Sequence, residues 1–101
     1  MTPEELKRSL TKSAPPARCA PALQALWWAA KGDWEAAHKI VMKHDDDADC
    51  AWVHAHLHRV EGDLPNARYW YRQAGQPVAN GPLETEWESI ASTLIASVET
   101  R

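Results

Sequence analysis

The sequence predicts an all-α domain: a stack of two helical hairpins, a C-terminal capping helix and a short N-terminal helix. Three observations predict it. Gly32-Asp33 and Gly62-Asp63 lie 30 positions apart, and each closes one apolar-striped segment and opens another. Glycine suits a left-handed helix end and aspartate suits the cap of the next helix. Shifting the chain by 30 also superposes Leu23 on Val53, Ala25 on Ala55, Trp27 on Leu57 and Ala37 on Ala67. That is the pattern of stacked hairpins in which neither buries its face alone. Finally, Leu83, Trp87, Ile90, Ala91, Leu94, Ile95 and Val98 fall on one helical stripe.

In chain order, residues 3–12 predict a short helix, with Pro3 near its start, Thr2 as cap and Leu6–Leu10 as an i,i+4 pair. Ser13-Ala14-Pro15-Pro16-Ala17 breaks it, since consecutive prolines cannot continue helical hydrogen bonding. Residues 1–16 thus read as a loosely packed helix and linker, and 17–101 as the helical domain. A second helix spans about 20–31, with Leu23, Leu26, Trp27 and Ala30 buried. A third, about 34–44, buries Trp34, Ala37, Ile40 and Val41. The acidic run Asp45–Asp49 then caps a fourth helix over about 49–61, carrying Trp52, Val53, Leu57 and Val60. The fifth, about 64–74, buries Leu64, Ala67, Tyr71 and Ala74, and Gly75 and Pro77 end it. A loop over 75–82 leads to the last helix, about 83–98.

The composition bounds the function. The chain has 101 residues, enough for one small domain, and a formal charge of −3. Its basic residues form no dense block, which argues against nucleic-acid and anionic-membrane partners. The uncharged stretch between Arg18 and Lys31 is too short to span a bilayer. The first residues carry no hydrophobic signal segment, and Cys19 and Cys50 make no metal-binding pair. Both facts lead to the expectation of a reduced, cytoplasmic protein. Six Trp, two Tyr and no Phe predict a core whose bulky members carry polar handles.

Gly62-Asp63-Leu64 followed by Ala67, Tyr71 and Ala74 resembles the second half of a tetratricopeptide repeat. Ala55 matches the small residue of that repeat's first helix, and Gly32, Asp33, Trp34 and Ala37 match a second copy. The resemblance covers about residues 20–76. The chain departs from the family in its period of 30 and in placing His54 and His58 where a large apolar residue and an aromatic are usual. The resemblance implies an interaction or scaffold module without catalysis, binding a protein segment or pairing as a homodimer. It also implies that Asp49, Trp52, His56 and Arg59 line the partner groove.

The residues themselves offer one other chemistry. His54 and His58 share a helix face, while His56 points away. Two histidines at i,i+4 can share a zinc ion when a third ligand joins them, and His38, His44, Glu61 or Cys50 are the candidates. The alternative function is therefore a metal or small-ligand site lined by His54 and His58, with hydrolytic activity open. The same histidines read more simply as a buried, hydrogen-bonded pair. Asp45–Asp49 lacks the glycine and terminal glutamate of a calcium loop and reads as a solvated cap. Arg68-Tyr69-Trp70-Tyr71-Arg72 mixes basic and aromatic residues, but helical spacing turns Tyr71 to the core. No phosphate-binding glycine loop or dinucleotide motif is present.

Overall fold

A computed structural model describes residues 1–99, apart from the side chains of Val98 and Glu99. The described residues are helical and contain no strand. The helices are α1 (Pro3–Arg8, continued by a 3-10 turn, Ser9–Thr11), α2 (Pro21–Ala30), α3 (Trp34–Lys43), α4 (Ala48–Glu61), α5 (Leu64–Ala74) and α6 (Leu83–Glu99). Of the expected α6 stripe, the Val98 side chain lies outside the described residues.

The two hairpins, α2–α3 and α4–α5, turn in the same way. Gly32 and Gly62 adopt φ of 84° and 85°. Asp33 and Asp63 follow at φ/ψ of −96°/78° and −92°/79°. Asp33 N–H donates to Trp28 O, and Asp63 N–H to His58 O. The aspartate side chains then accept from Ala36 N–H and Asn66 N–H. Each turn is a left-handed closure that satisfies loose carbonyls of one helix and loose amides of the next. The helix capped by Asp47 starts at Ala48, one residue ahead of the expected start.

The hairpins pack through α3 and α2 against α4, and α6 lies across α2 and α4. The core runs from Leu23, Leu26 and Trp27 through Val41, Val53 and Leu57 to Ile90, Leu94 and Ile95. Trp87 ties α6 down by donating from Nε1 to Leu26 O at 2.8 Å. Fully buried aliphatic side chains such as these contribute about 1.5–3 kcal/mol each.

Three expectations need correction. Ala30 is exposed rather than buried, since it is the last residue of α2 and sits at the helix end. The N-terminal helix is not loosely packed: Leu6 is 0% exposed in the main core and α1 rests on α6. Trp27 Nε1 donates to Ser9 Oγ, and Lys31 Nζ donates to the carbonyls of Leu10 and Lys12, fastening this segment to α2. Leu64 is not core either. It is 52% exposed, because the turn places it at the first position of α5, ahead of where the helix meets α4.

Candidate functional site

The fourth helix is buried on nearly every side: residues 50–58 are buried except Trp52, which is half-buried. Helical spacing divides its polar groups between two sides. His54 and His58 face one, His56 and Arg59 the other.

On the first side, His38 of α3 joins His54 and His58. His38 Nε2 and His54 Nε2 are hydrogen-bonded at 3.2 Å. One ligand-capable atom from each of the three residues lies within 4.8 Å of the others. His58 Nδ1 is hydrogen-bonded to Glu61 Oε1 at 2.6 Å, one turn along the same helix. The rings are held by stacking: Trp34 lies on His38 with centroids 4.5 Å apart, and Trp70 on His54 at 3.9 Å. Trp34 is itself fixed by donating Nε1–H to Leu57 O at 2.7 Å. Burial, then the neighbouring His58 and His38, push the His54 imidazole down to about 3. Burial also lowers His38. Both are therefore neutral imidazoles at pH 7, each with a nitrogen lone pair. His54 is 1% exposed, yet its Nδ1 has no hydrogen-bond partner.

On the second side, Glu86 of α6 is a buried carboxylate with three donors around it. His56 Nδ1 and Arg59 Nη1 reach Oε1 at 2.7 Å each, and the Tyr71 hydroxyl donates to Oε2. Arg59 Nη2 also donates to Gly81 O, closing the loop before α6. Burial raises the carboxyl, but hydrogen bonds from His56, Tyr71 and Arg59 outweigh it and hold Glu86 below its usual range. Burial, with the bond to Glu86, pushes the Tyr71 phenol well above its usual value. The network therefore carries a fixed carboxylate–guanidinium pair that fastens α6 to α4 and α5.

The sequence-expected groove residues are thus divided by α6. His56 lines a groove of about 420 Å³ bounded by α1, α2, α4 and α6, with Ala29, Ala30, Val60, Leu83 and Trp87. Trp52 lines another of about 490 Å³ formed with the 76–80 segment and with Thr85, Ser89 and Thr93 of α6. Arg59 is engaged with Glu86 and Gly81 between them. Asp49 stays in the first turn of α4, its N–H held by Asp47 Oδ1.

Two participants escaped the sequence reading. Glu86 reads as one of several acids near a helix start, yet it lies four residues before Ile90, on the stripe that is buried. Trp70 reads as a flanking residue, but it covers His54. The aromatic face of the Arg68–Arg72 segment is consequently used inside the molecule: Tyr71 is buried and Trp70 is stacked. Among the described residues, no helix is long and apolar enough to cross a membrane.

Fold and site together define a small all-helical domain with a histidine–tryptophan cluster on one side of its central helix and a buried carboxylate network on the other. Compared with known proteins, the chain matches no family model, no curated protein and no solved structure.

Proposed function

We propose that the domain is a tetratricopeptide-like interaction module that works by binding rather than catalysis, its partner an apolar segment of a protein chain. The observation that supports this most is the groove beside α6. Its walls are largely apolar, yet Val60 and Leu83 on them remain 46% and 38% exposed. Exposed apolar side chains around a concavity are the usual mark of a protein-contact surface. Lys7 and Glu84 at its edge supply charges of both signs for flanking polar groups of a partner. The repeated Gly-Asp turns support the tetratricopeptide-like arrangement. The two free, buried cysteines support a reducing compartment such as the cytoplasm. Self-association of two copies through the same face belongs to this reading.

Selection from a displayed random-peptide library tests it. Wild-type protein should enrich peptides with apolar anchors, and Val60→Glu should lose them while keeping the helical circular dichroism spectrum. Enrichment that is absent, or equal in Val60→Glu, would sink the proposal. Light scattering over a concentration series tests the homodimer: a mass of 11.3 kDa throughout excludes it.

A further inference from the structure

We infer that His38, His54 and His58 bind one divalent late first-row transition-metal ion, zinc foremost, with Glu61 as the group that orients His58. The inference does not depend on the partner-binding reading and goes beyond it.

Four observations carry it. The nitrogens are placed for coordination. In a tetrahedral zinc site with Zn–N of about 2.0–2.1 Å, neighbouring ligand nitrogens are about 3.3–3.4 Å apart. His38 Nε2 and His54 Nε2 are 3.2 Å apart, and one ligand-capable atom from each of the three histidines lies within 4.8 Å of the others. The second observation is the bond from His58 to Glu61 at 2.6 Å. With its Nδ1 proton donated to a carboxylate, His58 keeps the lone pair on Nε2, as metal-bound histidines do. A third is ring fixation: Trp34 and Trp70 stack on His38 and His54, so little freedom is lost on binding.

The fourth is the unpartnered Nδ1 of buried His54. In the metal-free protein the single proton between the facing Nε2 atoms sits on one of them. Metal entry requires both lone pairs, and that proton moves to the Nδ1 of the same ring. At His54 this nitrogen is unengaged, so the ring can take the metal-binding tautomer without breaking another bond. Glu61, hydrogen-bonded to His58, places a carboxylate beside the cluster.

The cluster is also peculiar to this pairing of helices. The repeat places Gln24 and Trp28 at the positions of His54 and His58, and Arg68 at that of His38. Nothing in the hairpin packing therefore demands imidazole there. Imidazole donors, with no carboxylate in the inner set, suit zinc, copper and nickel rather than calcium and magnesium. Three protein ligands leave one position for water.

The test uses untagged, chelator-dialysed protein titrated with zinc in a calorimeter. Wild type should bind one equivalent, and cobalt(II) in its place should give the intense visible bands of a tetrahedral site. His38→Gln, at a half-buried position, should abolish the stoichiometric isotherm and the bands while leaving the helical circular dichroism spectrum intact. Glu61→Gln should weaken binding about 10- to 100-fold. His44→Gln, at an exposed histidine outside the cluster, should bind as wild type does. Absence of stoichiometric binding in wild type would overturn the inference, as would binding that survives His38→Gln, since the ion would then sit elsewhere.

Discussion

Replacing Glu86 by leucine tests the carboxylate network most directly. The change removes the acceptor shared by Arg59, His56 and Tyr71 and leaves the guanidinium, 10% exposed as a side chain, beside an apolar group. Removing one partner of a buried pair costs about 3–5 kcal/mol, because the remaining charge stays desolvated. For a domain of this size, whose total stability is expected at about 5–15 kcal/mol, that is a large fraction. With a urea m-value of about 1.5 kcal/mol/M, the unfolding midpoint should fall by about 2–3 M. Arg59→Met combined with Glu86→Leu removes both charges, and such replacements are often close to neutral. The double variant should therefore be more stable than Glu86→Leu alone, even though it carries an additional substitution. A loss below about 1 kcal/mol in Glu86→Leu, or a double variant as unstable as the sum of its parts, would refute the account. The pH dependence has a fixed sign. Glu86 titrates lower folded than unfolded, so its contribution is complete above the unfolded value and disappears as pH falls through the folded one. Glu86→Gln should flatten that acid limb.

Three further outcomes are expected. In chelator-treated protein, His54 is neutral when folded, with its pKa near 3, and takes up a proton when unfolded below about 6.5. Stability should therefore fall by about 2 kcal/mol between pH 7 and pH 5, and His54→Phe, which preserves stacking on Trp70, should remove most of that slope in urea titrations. Gly32→Ala and Gly62→Ala should each cost about 1 kcal/mol by thermal unfolding. They should cost the same, because the two glycines share a left-handed conformation and an added Cβ meets nothing at either. Cys50 is fully buried, and burial, then Asp47, pushes its thiol up to about 12. It should resist thiol reagents in native buffer and react once urea unfolds the chain; rapid native labelling would contradict the packing.

Much of this fold was legible because local chemistry and global packing agree. The Gly-Asp pairs announced both hairpins, and the α6 stripe announced the helix that covers them. The burial of Leu6 was not legible, since one i,i+4 pair beside a proline break gives no sign of what it meets. Exposure of Leu64 likewise depends on where the turn delivers the helix. At the histidines, spacing separated His54 and His58 from His56, but it could not choose among His38, His44, Glu61 and Cys50 as companions. That choice depends on how α3 lies against α4, a relation between segments distant in sequence. Glu86 was obscured by its setting: among several acids at a helix start, a buried carboxylate looks like one more dipole partner. Its position on the apolar stripe distinguishes it.

The placement of α6 has a consequence for synthesis. Its 17 residues follow both hairpins off the ribosome, and until they emerge Leu23, Leu26 and the flank of Trp27 lack their final cover. A nascent chain paused before Leu83 would present a sticky, half-finished surface of the kind chaperones recognise. Completion waits on contacts between α1 and α6, near opposite ends of the described chain, and such distant closures slow folding.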